Sequence, residues 1–192
     1  MLKDKLKFLY DEKKLSIGVL GLGKDGWQLA CRMAMFGFCS LGYAIRPEIV
    51  ETTNNGVNYL HDSTVIDNPG EVRSELVFQG KFNGTTDFFS AVHRDIVFVC
   101  VSDLADEYHK DYKTALKIYT EAIGAALRVG TVLVFLQNKN NTVLSEEIAA
   151  QLCEFSGLNK NKDFFATVIP EVDSHSADAP ALLEQVIEEV SV

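Results

Sequence analysis

The stretch Leu15 to Ala34, LSIGVLGLGKDGWQLACRMA, decides the fold. Ser16 to Leu20 read as a short buried strand, which passes directly into Gly21-x-Gly23-x-x-Gly26 and then into a run with helical periodicity. Strand, glycine turn and helix in that order form the local architecture that cradles a dinucleotide pyrophosphate. Gly21 permits the tight turn, Gly23 lets the backbone approach the phosphates with no Cβ between, and Gly26 lets the helix lie close to the strand. The start of the helix presents free backbone N–H groups to an anion. Asp25 puts a carboxylate inside this turn, where it either opposes the pyrophosphate or caps the helix, and Lys24 beside it offsets part of the charge.

Outward from this unit, strand and helix signals alternate. Leu2, Leu6 and Leu9 recur at helical spacing and predict a short amphipathic helix over residues 2 to 13. The first core helix runs from Asp25 to Phe36, with Gly37 stopping it, and a second strand covers Cys39 to Ile45. Pro47 opens a helix through Thr53, residues 54 to 70 form a polar excursion, and Glu71 to Val77 a short helix. A strand near Phe78 to Phe82 leads to GTTDFFSAV, where a Thr caps a brief helix. DIVFVCVS, Asp95 to Ser102, reads as a strand buried on both faces, and residues 106 to 128 as one long amphipathic helix ended by Gly130.

Thr131 to Leu136 is a further strand, Val143 to Phe155 a helix, and Phe164 to Ile169 a last strand before Pro170. Leu182, Leu183, Val186, Ile187 and Val190 make an apolar stripe on a final helix. This alternation predicts an α/β fold: a doubly wound, mostly parallel, Rossmann-like sheet in three α/β/α layers. The expected organisation is a helical extension over residues 1–14, a dinucleotide-binding domain over 15–173, and a linker with an amphipathic helix over 174–192.

Composition narrows the partners. The chain has 192 residues, 47% of them hydrophobic, enough for one sizeable core. A net charge of −9 and a pI near 4.9 argue against a nucleic-acid or anionic membrane surface. Cys31, Cys39, Cys100 and Cys153 form no CxxC pair and read as reduced core thiols of a cytoplasmic protein, and the four histidines fall into no metal-ligand spacing with them. No apolar run is long enough to span a bilayer.

Several segments resemble the N-terminal domain of the UDP-glucose/GDP-mannose dehydrogenases, the nucleotide-sugar 6-dehydrogenases. They are GLGKDGWQLACRMAMFGF, VETTNNG after the second strand, KFNGTTDFFSAV followed by DIVFVCV, and DFFATVIPE, spread over residues 15 to 173. The resemblance implies a dinucleotide cofactor. It also implies oxidation of a sugar C6 hydroxyl to a carboxylate in two NAD-dependent steps, by way of a thiohemiacetal and a thioester on a cysteine. That cysteine belongs to an FGG-x-C-type loop in a later domain, and no such loop occurs in these 192 residues. The chain alone is therefore expected to be unable to complete the oxidation.

Within the resembling region, the acidic residue that holds the adenosine ribose aligns with Ala44, while Arg46 two positions on suits a 2′-phosphate, leaving NAD and NADP both open. The CVPTP loop becomes Ser102-Asp103-Leu104, the catalytic-water threonine aligns with Asn138, and Glu171 after Pro170 matches the family's assisting glutamate. The candidate cofactor residues are thus Gly21, Gly23, Lys24, Asp25, Gly26, Ala44, Arg46, Ser102 and Asp103, and the candidate catalytic residues Glu171 and Asn138. Two function classes follow. One is a stand-alone or excised NAD(P)-binding domain that cannot complete the oxidation alone, with a separate catalytic subunit as one partner. The other is a non-enzymatic interaction or regulatory module with a degenerate cofactor site, self-associating or docking through its C-terminal helix.

Overall fold

Six strands, β1 (Ser16–Leu20), β2 (Cys39–Tyr43), β3 (Phe82–Thr85), β4 (Ile96–Cys100), β5 (Val132–Gln137) and β6 (Phe165–Pro170), form one sheet in the order β3-β2-β1-β4-β5-β6. Every pairing is parallel, with Val19 flanked by Gly42 of β2 and Phe98 of β4. The order reverses between β1 and β4, which opens a crevice at their carboxyl ends. The computed structural model of the chain describes residues 1–57, 69–108, 111–137, 146–170 and 179–190.

The helices are α1 (Leu2–Asp11), α2 (Lys24–Met35), α3 (Pro47–Asn54), α4 (Pro69–Phe78), α5 (Phe88–Val92), α6 (Val101–Tyr108), α7 (Tyr112–Ala126), α8 (Glu146–Ser156) and α9 (Ala179–Glu189). They cover both faces of the sheet, and β4 shows why. Its five residues are all buried; Ile96, Phe98 and Cys100 enter one apolar cluster with α2 and α9, Val97 and Val99 the other with α5, α6 and α7. A strand buried on both faces needs a continuous apolar run rather than an alternating one, and that is the sequence it has.

Local chemistry sets the element ends. At the end of α2, Gly37 takes φ +95°, its N–H donates to the Ala34 carbonyl (2.9 Å), and the Phe38 N–H donates to that of Met33 (3.2 Å). This closes the last turn in a left-handed glycine cap, with Phe38 and Met33 both buried behind it. Asn54, in the last turn of α3, accepts the Gly84 N–H (2.7 Å) and donates to the Gly84 carbonyl (3.1 Å), tying α3 to β3. VETTNNG and KFNGTT, distant in sequence, are thus two halves of one joint.

The terminal helices close the same face. Leu6 of α1 is fully buried, and Leu182, Leu183, Val186, Ile187 and Val190 all sit in the cluster that contains Ile17 and Phe98. Lys3 and Lys7 meet Glu188 at 2.9 and 2.6 Å, joining α1 to α9 at the surface. The stripe expected to serve a second copy or a subunit is covered by the chain's own core.

Four local expectations change. The β3 strand begins at Phe82 rather than Phe78, because α4 continues to Phe78 and turns at Gly80, φ +68°. The brief helix α5 is capped by Asp87, not a threonine: the Asp87 carboxylate accepts from the Phe89 and Ser90 N–H groups. The single helix over 106–128 is two: α6 starts at Val101 directly after β4, and α7 has its own cap, Asp111, accepting from the Thr114 N–H at 3.0 Å. Of the four free thiols, Cys31 and Cys100 are buried, whereas Cys153 is half-buried and Cys39, at the first position of β2, is exposed.

Candidate functional site

The glycine turn lies at the switch point, between the end of β1 and the start of α2. Gly21 takes φ +95°, and its N–H donates to the Tyr43 carbonyl at 3.1 Å, which anchors the turn to the end of β2. A Cβ on Gly26 would fall 1.8 Å from the Gly21 carbonyl oxygen and 3.1 Å from the Cys100 sulfur, so no side chain fits there. Leu22 between the glycines is buried, and a Cβ on Gly42 would fall 2.2 Å from it. The roles assigned to Gly21 and Gly26 in the turn therefore have a steric counterpart in the fold.

Gly23 has a different neighbour. A Cβ there would lie 2.3 Å from both Cγ and Oδ1 of Asp103, and one on Gly21 would lie 3.1 Å from the Asp103 Cβ. The Asp103 Oδ2 accepts the Gly26 N–H at 2.7 Å. Asp103 was expected on a loop beside the cofactor. It lies instead in the first turn of α6, with its carboxyl buried in the glycine turn and the residue 5% exposed. The helix α2 has Gly23 at its N-cap, without a side-chain cap of its own, and Asp103 rather than Asp25 supplies a carboxylate to its first turn.

Burial pushes the Asp103 carboxyl up to about 7, against the pull of the Gly26 and Asp25 N–H groups; the charges of Asp25 and Asp106 add to the rise. A helix start that could receive an anion thus holds a carboxyl group from its own chain. Oδ2 and a pyrophosphate oxygen cannot both occupy the Gly26 N–H, so with Asp103 in this position the turn does not fit a dinucleotide.

The other candidates stand as follows. Lys24 is exposed at the first position of α2, Asp25 half-buried behind it, and Ser102 half-buried beside Asp103. Ala44 is buried just past the end of β2, its N–H donating to the Thr85 carbonyl at 3.1 Å, and its methyl offers no acceptor for a ribose hydroxyl. Arg46 is exposed at the N-cap of α3. Asn138 and Glu171 lie outside the described residues. The sequence reading missed that Asp103 crosses the crevice. The available signal was the loss of both prolines after β4, which lets a helix begin at Val101 and carry Asp103 in its first turn.

No family model matches the sequence. Among curated proteins, the UDP-N-acetyl-D-glucosamine 6-dehydrogenase of Pseudomonas aeruginosa is 28% identical over 161 residues, 83% of this chain and 36% of that protein. The UDP-N-acetyl-D-mannosamine dehydrogenase of Pyrococcus horikoshii is 26% identical over 160 residues, 82% of this chain and again 36% of the relative. The relatives of this chain are nucleotide-sugar dehydrogenases. Their matched part is the N-terminal one, and the chain spans about a third of the length of these curated relatives. The NDP-N-acetyl-D-galactosaminuronic acid dehydrogenase structure from Methanosarcina mazei superposes with a TM-score of 0.67 at 21% identity. It covers 98% of this chain and 45% of its own, a likeness of fold. Among the described residues, no helix is long and apolar enough to cross a membrane.

Proposed function

We propose that the chain is the NAD(P)-binding part of an enzyme of the nucleotide-sugar 6-dehydrogenase type, taking the dinucleotide across the crevice between β1 and β4. The observation that supports this most is the glycine turn at the switch point, with Gly21 at φ +95° and no room for a side chain on Gly26. Ala44 and Arg46 leave room for either cofactor, the alanine by removing an acidic ribose partner and the arginine by offering charge to a 2′-phosphate. Asn138 and Glu171 are assigned the catalytic roles that their alignment implies. The thiol nucleophile comes from outside these 192 residues, so hydroxyl oxidation requires a catalytic partner segment or subunit.

Calorimetry of the full chain with NAD, NADH, NADP and NADPH tests the reading. Binding of at least one, lost on Gly23→Val, is the expected result. Silence toward all four at millimolar concentration overturns it. A second reading, a binding module that has kept the fold without the cofactor, is favoured by one observation: the Asp103 carboxylate already occupies the turn.

A further inference from the structure

We infer that Asp103 is an internal stopper of the glycine turn: its side chain and a bound pyrophosphate compete for the same backbone groups, and the turn opens to an anion only as Asp103 leaves. The inference rests on the dinucleotide reading for the identity of that anion, and on geometry for the competition. Asp103 touches all three glycine positions of the motif. Its Cβ lies against Gly21, its Cγ and Oδ1 cover the open face of Gly23, and its Oδ2 takes the Gly26 N–H. The face of Gly23 is the one that a missing Cβ leaves free for close approach of a phosphate. Here it is filled by a carboxyl group that imitates one phosphate oxygen.

Charge makes the competition depend on pH. The charges that act on the Asp103 carboxyl are those of Asp25 on α2 and Asp106 on its own helix; Lys24, next to Asp25 in sequence, is exposed, and the Cys100 sulfur at the end of β4 lies against Gly26. A carboxyl that holds its proton up to about 7 in the turn, and only to the ordinary carboxylate range once swung into solvent, prefers the turn when protonated and leaves it more readily when ionised. With the carboxyl pushed up to about 7 by burial, that change falls near neutrality. Opening of the turn releases that proton, so anion affinity should fall as the solution is made mildly acid.

Two probes separate this inference from the reading beneath it. Inorganic pyrophosphate is titrated calorimetrically at about pH 8 into wild type, Asp103→Ala and Asp103→Ser, the serine variant keeping a short acceptor in case alanine loosens α2. ADP-ribose, whose bridging pyrophosphate keeps its charge across neutrality, is titrated into wild type and Asp103→Asn at about pH 8 and about pH 6. The expected result is pyrophosphate binding about tenfold tighter, or more, in the alanine or serine variant than in wild type. ADP-ribose affinity should fall toward the lower pH in wild type and stay flat in Asp103→Asn. Equal pyrophosphate binding by wild type and both variants, or none by any of them, overturns the stopper. A response to pyrophosphate with silence toward every dinucleotide upholds the stopper and sinks the dinucleotide reading. Dinucleotide binding that ignores residue 103 and pH does the reverse.

Discussion

At the scale of single residues, the glycine turn was legible and the occupant of the turn was not. Gly21, Gly23 and Gly26 announce themselves by spacing, because the constraints they satisfy are steric and local. Asp103 reaches the turn across 77 positions of sequence, and no periodicity records such a contact. It carries a stability consequence. A carboxyl raised in the fold from 3.8 to about 7 keeps its proton there while the unfolded chain has lost it, so stability falls as pH rises through that window and levels off above it. Asp103→Asn keeps an acceptor for the Gly26 N–H and never ionises. In thermal melts it should exceed wild type at about pH 8, by up to a few kcal/mol of unfolding free energy, with the gap closing toward about pH 5. Taking the difference between the two proteins cancels carboxylates such as Asp87 and Asp111, whose N-terminal caps hold them below their ordinary range. A gap that does not change with pH would mean that Asp103 is not the buried titrating group described.

At the scale of elements, the readings that held were those with strong periodicity or punctuation. β4 held because five buried residues in a row can satisfy only a strand covered on both sides. The end of α2 held because Gly37 is a left-handed cap that a side chain disfavours. Boundaries without such marks moved. The apolar residues of α7 extend a helical pattern back toward α6, and the true break is marked by the cap at Asp111 rather than by any loss of periodicity. α9 was legible as an amphipathic helix, but not what its stripe would cover, since that depends on where α1 and β4 come to lie. Leu183 is fully buried in that face. Leu183→Ala should cost about 2 to 5 kcal/mol in chemical denaturation and leave the oligomeric state unchanged. A loss of association with little loss of stability would instead assign the stripe to an interface between chains.

At the scale of the whole molecule, the strand order β3-β2-β1-β4-β5-β6 puts the first βα turn and the start of α6 on opposite sides of one crevice. The alternation of elements along the chain was enough to read that architecture. The segments divide by purpose: VETTNNG and KFNGTT lock α3 to β3, whereas the turn after β4, which departs from the resembling CVPTP pattern, reaches into the site. The scaffold is kept while one anion position is filled from within. A crystal of the full chain soaked with dinucleotide near pH 8 tests this most directly. The account predicts density across the crevice with a phosphate on the Gly26 N–H and the Asp103 carboxyl swung away from Gly23. A dinucleotide seated elsewhere, or on the turn with Asp103 still bonded to Gly26, would contradict it.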